Sequence, residues 1–203
     1  MTDAAAPAPS EDLRRAKAAA RSAARRLRAG LDPAGAGERL TACFAAAFPA
    51  LPAGTVVAGY WPLGDEIDVR PLLHHLARTG GRPALPVMQG PGLPLRFRAW
   101  APGQALRPGA FGVQEPGPEA PELVPVPGCW CRCWPSTGRG CGWATAPAST
   151  TARSLCLRVG RGGDGRSGIG HAAQEVPAVP HDGLDNPLHW VVTNWTRSRI
   201  GKD

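Results

Sequence analysis

Residues 55–88 read TVVAGYWPLGDEIDVRPLLHHLARTGGRPALPVM, and this stretch decides the fold class. Its first part, Thr55 to Trp61, is a short apolar run rich in β-branched and aromatic residues, typical of a strand buried on both faces. Leucines at helical spacing follow, from a cap at Asp68 to a stop at Gly80. Pro83 to Met88 then predicts a second strand, so the stretch predicts a βαβ unit.

Helical patterns precede this unit, and strand patterns follow it. The residues from Glu11 to Ala29 predict a basic amphipathic helix that Ser10 caps and Gly30 ends. A second helix is predicted from about Glu38 to Phe48. Further strands are predicted at Leu95–Trp100, which alternates like an edge strand, at Ile169–Val176 and at Trp190–Thr193.

Composition describes a globular chain of one domain. At 203 residues, with 43% hydrophobic and 19% charged residues, the chain is neither disordered nor membrane-embedded. We expect a single domain at residues 11–193, a disordered tail at 1–10 and a second tail at 194–203. Because the first ten residues lack the apolar core of a signal peptide, we expect a cytoplasmic location.

Three separated blocks resemble one enzyme family. These blocks are Ala16–Arg21 (AKAAAR), Gly59–Asp68 (GYWPLGDEID) and the region from Ala173 to Asp182 that begins AQEVP. They resemble the 5-formyltetrahydrofolate cyclo-ligases, also named 5,10-methenyltetrahydrofolate synthetases. The resemblance implies a Rossmann-like α/β fold, a three-layer sandwich with a mostly parallel sheet flanked by helices.

The same resemblance implies the reaction. These enzymes use ATP and Mg²⁺ to convert 5-formyltetrahydrofolate into 5,10-methenyltetrahydrofolate, ADP and phosphate. ATP phosphorylates the formyl oxygen, the neighbouring folate nitrogen attacks, and phosphate departs. The implied partner is therefore a small-molecule folate, with or without a polyglutamate tail, and we expect a monomer that binds neither nucleic acid nor membrane.

Five residues match positions to which the family gives a role. Lys17 and Arg21, four residues apart on one helical face, match a basic pair that contacts ATP phosphates. Trp61 and Glu66 match folate-binding positions, and Asp182 matches an aspartate near magnesium. Spacing alone also allows solvated cations, a core tryptophan, a loop carboxylate and a turn aspartate. The resemblance assigns no catalytic residue.

The segment from residue 126 to 167 departs from the family pattern. An apolar strand ending in Ala-Phe-Asp should precede a phosphate loop close to Gly-Tyr-Gly-x-Gly-Phe-Tyr-Asp-Arg, whose glycines let backbone N–H groups approach phosphate. At the position of this loop the chain has GWATAPASTT, residues 142–151. Read from the third base of each codon, this stretch permits Leu-Gly-Tyr-Gly-x-Gly-Phe-Tyr-Asp-Arg.

The same shift over residues 128–136 permits Val-Leu-Val-Pro-Leu-Leu-Ala-Phe-Asp, the expected strand. Two family motifs from one shift indicate a pair of compensating frameshifts, in a high-GC gene or in its sequencing. They would enter near residues 125–127 and leave before about residue 168. An apolar strand replaced by alternating cysteine, tryptophan and arginine would also place charge where a sheet should be buried.

Two other classes of protein stay open at this point. Cys129, Cys131, Cys133 and Cys141 are candidate zinc ligands, although CxC steps are not the usual two-residue gaps of structural zinc sites. The formal net charge of +7 and the arginine-rich first helix also suit a nucleic-acid-binding module.

Overall fold

The fold is seen in a computed structural model that describes residues 10–49, 51–90, 93, 95–124, 130–132, 167–181 and 190–199. Its α-helices are α1 (Glu11–Ala29), α2 (Ala36–Ala47) and α3 (Arg70–Arg78). Its strands are β1 (Val56–Ala58), β2 (Arg82–Val87), β3 (Arg96–Ala99), β4 (Leu106–Pro108), β5 (Gln114–Pro116), β6 (Trp130–Arg132), β7 (Ser167–Gly170), β8 (Trp190–Thr193) and β9 (Arg197–Arg199). Short 3₁₀ helices occupy Ala110–Gly112 and Ala172–Gln174.

The boundaries of α1 agree with the prediction. The hydroxyl of Ser10 accepts a hydrogen bond from the N–H of Leu13 at 3.2 Å, which satisfies one of the open donors of the first turn. Helix α2 begins two residues earlier than predicted, after Gly35, which adopts a left-handed φ of 64°. Helix α3 begins at Arg70, and the carboxylate of Asp68 accepts a hydrogen bond from the Arg70 N–H.

The predicted βαβ unit is confirmed. Strands β1 and β2 pair in parallel, with Val57 opposite Pro83, and α3 connects them. Strand β3 adds antiparallel to β2 at the sheet edge, as its alternating sequence predicts. Beyond the prediction, β4 and β5 form an antiparallel pair.

A second sheet contains the C-terminal strands in the order β6-β7-β8-β9. Strands β6, β7 and β8 run parallel, and β9 returns antiparallel in what the sequence indicated only as a tail. The strand predicted from Ile169 to Val176 ends at Gly170, so that prediction was too long. A 3₁₀ helix replaces its second half.

One core joins the two sheets. Ile169 of β7 and Val192 of β8 share a cluster with residues of α2, β1, α3 and β2; its fully buried members include Leu40, Phe44, Val57, Leu72, Leu73, Leu76 and Leu85. The predicted α/β class is therefore confirmed. Of the six pairings between described strands, three are parallel and three antiparallel, so the sheets are mixed. None of the helices within the described ranges has the length and apolar content that a membrane span requires.

Candidate functional site

The inward face of α1 forms one wall of the site. Ala20 and Ala24 pack against Val176 and Val179, which follow the second 3₁₀ helix. Lys17 and Arg21 lie on the same side of the helix and are half-buried. The neighbouring arginines, Arg14 and Arg15, are exposed and form ion pairs with Glu11 and Asp12 one turn earlier. Helix periodicity therefore separates the inward cations of α1 from the solvated ones.

A tight turn after β1 forms the opposite wall. The Glu66 N–H donates to the Leu63 carbonyl at 3.1 Å. In return, the Glu66 carboxylate accepts from the Leu63 N–H at 3.0 Å. Gly64 adopts φ 55° within this turn, a conformation that glycine reaches at little cost. These two bonds close the turn and fix the direction of the Glu66 side chain.

An ion pair connects the two walls. The Arg28 guanidinium, on the inward face of α1, donates to the Asp65 carboxylate at 2.8 Å. The Arg28 side chain is 9% exposed and that of Asp65 is 35% exposed. The hydrogen bond from Arg28 holds the pKa of Asp65 below its ordinary value. Thus the turn that contains Glu66 is tied to the helix that carries Lys17 and Arg21.

His171, directly after β7, lies beside this ion pair. Burial, reinforced by the positive charge of Arg28, lowers the pKa of His171 below its ordinary value. The His171 side chain accepts from the backbone N–H of Gln174, which requires an unprotonated ring nitrogen. The Gln174 side chain accepts from the His171 N–H at 3.3 Å, and Asn194 after β8 accepts from the Ala172 N–H at 2.9 Å. The loop after β1 and the 3₁₀ helix after β7 therefore both contact α1, and Asn194 joins the end of β8 to the same 3₁₀ helix.

Trp61 lies at the start of the same β1 loop, on the edge of the core. Its ring contacts Trp100 edge-on, with the centroids 5.5 Å apart, and the guanidinium carbon of Arg70 lies 5.9 Å from its centroid. His74 contacts Trp100 in the same manner at 5.4 Å. The structure gives Trp61 a packing role, and a role in folate binding stays a prediction.

Comparison with solved structures shows which known proteins share the fold of this chain. A 5,10-methenyltetrahydrofolate synthetase from Aquifex aeolicus matches with a TM-score of 0.70 at 21% identity, over 92% of this chain and 94% of that one. A 5,10-methenyltetrahydrofolate synthetase from Mycoplasma pneumoniae matches with a TM-score of 0.63 at 14% identity, over 88% of this chain and 98% of that one. The chain has the fold of these synthetases. No protein-family model matches the chain, and no curated protein matches its sequence.

Four of the five predicted site residues lie in the described part of the chain. Lys17 and Arg21 lie on the inward face of α1, and Trp61 and Glu66 lie in the loop after β1. Asp182 lies outside the described residues. Sequence reasoning missed Arg28, Asp65 and His171. For Arg28 a signal existed, because it follows Arg21 by seven residues and so continues the stripe of Lys17 and Arg21.

Metal ligands do not cluster in the described part of the synthetase fold. No group of three or more histidine, cysteine, aspartate or glutamate side chains is placed to hold a metal ion there. Of the four candidate zinc cysteines, only Cys131 falls among the described residues, and it lies in β6. The zinc interpretation stays untested.

Part of the segment that departs from the family pattern, Trp130–Arg132, forms strand β6. Of residues 126–167, the structure describes Trp130–Arg132 and Ser167. Trp130–Arg132 pairs in parallel with β7, and the Cα of Arg132 lies opposite that of Ile169, a buried core residue. The GWATAPASTT stretch lies outside the described residues.

A cavity among the described residues lies elsewhere on the fold. It measures about 430 Å³ and opens between α2 and α3, lined by Glu38, Thr41, Pro71, His74 and Arg78. None of the described residues with a predicted role lines it. The cavity is therefore separate from the site formed by α1 and the β1 loop.

Proposed function

We propose that the chain belongs to the 5-formyltetrahydrofolate cyclo-ligases and inherits their ATP-dependent ring closure. The observation that carries the proposal is the meeting of the three family blocks at one place. The α1 block, the β1 loop and the block after β7 are far apart in sequence. The Arg28–Asp65 ion pair nevertheless joins α1 to the β1 loop, and Ala20 of the first block packs in one apolar cluster with Val176 of the third. Ligands of open α/β sheets bind at the carboxyl ends of the strands.

The inferred roles follow from the chemistry of the reaction. Lys17 and Arg21 would bind the ATP phosphates, because two cations four residues apart can contact neighbouring phosphate oxygens. The carboxylate of Glu66 would accept hydrogen bonds from the amino groups of the pterin, and Trp61 would contact its flat ring. Such a site contributes mainly by positioning the two substrates and stabilising charge.

Magnesium, where it is bound, neutralises phosphate charge and lowers repulsion between ATP and its acceptor. We propose Asp182 as a ligand, together with phosphate oxygens of ATP. The described residues provide no cluster of three or more metal-ligating side chains. The chain is further proposed to act as a monomer in the cytoplasm on a small-molecule folate.

We also propose that the chain as written has little or no turnover. Residues 142–151 contain one glycine where the family loop has three, and no Tyr-Asp pair follows. Without closely spaced backbone N–H donors, the transferring phosphoryl group loses its main electrostatic support. The chain would then be an inactive, frameshifted remnant that keeps the scaffold and the folate side of the site.

The test compares two proteins made from the same gene. One is the chain as written, and the other carries residues 126–167 translated from the third codon base. The assay follows the near-ultraviolet absorbance of the methenyl product from 5-formyltetrahydrofolate and MgATP. We expect turnover only in the second protein. Turnover in the chain as written would refute the requirement for the loop, and an inactive second protein would refute the assignment to the cyclo-ligases.

Sequencing the DNA across codons 120–170 provides an independent check. Single-base changes on both sides of the segment would support the frameshift. An uninterrupted frame that encodes the chain as given would leave a diverged segment instead.

A further inference from the structure

The ion pair between Arg28 and Asp65 differs from the other ion pairs among the described residues. Its partners are 37 positions apart and join α1 to the β1 loop. The Arg14–Glu11 and Arg70–Asp68 pairs join near neighbours in sequence, and the Arg96–Glu122 pair is about half exposed on both sides. Ion pairs that are exposed or that join near neighbours in sequence contribute little to the stability of the fold. A guanidinium buried to this degree would destabilise the fold if it lost its carboxylate partner.

The location of this ion pair links two parts of the proposed site. Arg28 follows Arg21 by seven residues, which is roughly 10 Å along a helix axis. Asp65 lies inside the turn from Leu63 to Glu66 and directly precedes Glu66. The internal bonds of the turn set its shape but not its position relative to α1. Within the described part of the chain, the hydrogen bond from Arg28 joins this turn to α1 and so helps to set that position.

We propose that Asp65 is a positioning residue for the folate side of the site. By binding Arg28, it holds the Glu66 carboxylate in a fixed place relative to Lys17 and Arg21, and so presets the separation of the two substrates. The inference rests on the proposed function, because it gives Glu66 a folate to bind. Asp65 itself contacts no substrate in this scheme.

The surroundings of Asp65 favour this role. Burial lowers the pKa of the nearby His171, and the positive charges of Arg28 and Arg39 lower it further. This favours the neutral ring and leaves Arg28 as the hydrogen-bonded cation of Asp65. Turn and helix are thus connected by a charged hydrogen bond, and a turn that is ordered before it binds a ligand loses less entropy on binding.

The test measures binding of 5-formyltetrahydrofolate to the full chain as written by equilibrium dialysis, together with thermal unfolding. The variants are Asp65→Asn, Glu66→Gln, the double variant Arg28→Met/Asp65→Asn, and Glu122→Gln as a control from a remote exposed pair. We expect Asp65→Asn to raise Kd about tenfold or more, the equivalent of one charged hydrogen bond. Glu122→Gln should leave Kd unchanged.

The double variant separates positioning from stability. Removing both charges leaves no buried unpaired guanidinium, so its unfolding temperature should recover relative to Asp65→Asn while its Kd stays weak. Recovery of both, or an unchanged Kd in Asp65→Asn alongside a weakened Glu66→Gln, would overturn the inference and leave the proposed function standing. A chain that binds no 5-formyltetrahydrofolate at all would overturn both.

Discussion

Replacing Gly37 by alanine should destabilise the protein, although alanine is the better helix former. Gly37 lies in the first turn of α2 and is buried. A Cβ placed there would come within 2.5 Å of the Asp68 carbonyl oxygen and 3.0 Å of Cγ of Pro71. These atoms belong to backbone and to a proline ring, so neither can rotate away. Helix α2 would have to move from the entry of α3, where the β1 loop ends.

The magnitude follows from two opposing effects. Alanine in place of glycine favours a helix by about 1 kcal/mol, whereas forcing an extra methyl group into a packed site costs about 1–3 kcal/mol. We expect a net loss of up to about 2 kcal/mol in the free energy of unfolding. Urea titration followed by circular dichroism measures this loss as a lower midpoint with an unchanged slope.

Gly30→Ala is the matched control. Gly30 ends α1 with φ −96°, and the nearest atom to its added Cβ is the Leu27 carbonyl oxygen at 3.7 Å. This substitution should change stability by less than about 0.5 kcal/mol. A Gly37→Ala protein as stable as the unmutated chain would refute the close approach of α2 to Asp68.

Two further substitutions test the site. Because the pKa of His171 is lower in the folded chain than in the unfolded chain, the unfolded chain binds more protons below about pH 6.5. The free energy of unfolding should therefore decrease as the pH is lowered from about 6.5 to the pKa of the folded state. His171→Gln should flatten this dependence in urea titrations, and an unchanged slope would assign it to other groups. Gly64 has φ 55° and no atom within 4 Å of an added Cβ. Gly64→Ala should therefore cost about 1 kcal/mol through backbone conformation alone, and Gly64→Asn less; equal losses would contradict this explanation.

Sequence predicted those elements whose signals are local. Ser10 marks the start of α1 through its hydroxyl and Gly30 marks its end through its backbone N–H, and the apolar run at β1 reflects its burial. The predicted strand after Ile169 failed because His171 and Gln174 exchange side-chain and backbone hydrogen bonds, which end the strand. Strand β9 was missed because its residues, from Arg197 to Arg199, are polar and find their place by pairing with β8.

The candidate site was predicted only in part for a related reason. Family motifs predicted roles for Lys17, Arg21, Trp61 and Glu66, each within one block of sequence. The bond between Arg28 and Asp65 joins α1 to the β1 loop, and α1 contains seven cations. The spacing places Arg28 on the stripe of Lys17 and Arg21, but it does not show which cation of that stripe is buried. That choice depends on how α1 packs against Val176 and Val179.

The pairing of β6, Trp130–Arg132, with β7 shows that strand pairing and core packing depend on different parts of a residue. A parallel ladder is formed by amide and carbonyl groups that every residue except proline carries alike, so β7 can template a neighbour of almost any composition. Side chains alone determine whether the core behind that ladder is filled. A gene that loses its reading frame across one strand could therefore conserve the topology of its protein while losing the stability and chemistry that the topology once supported.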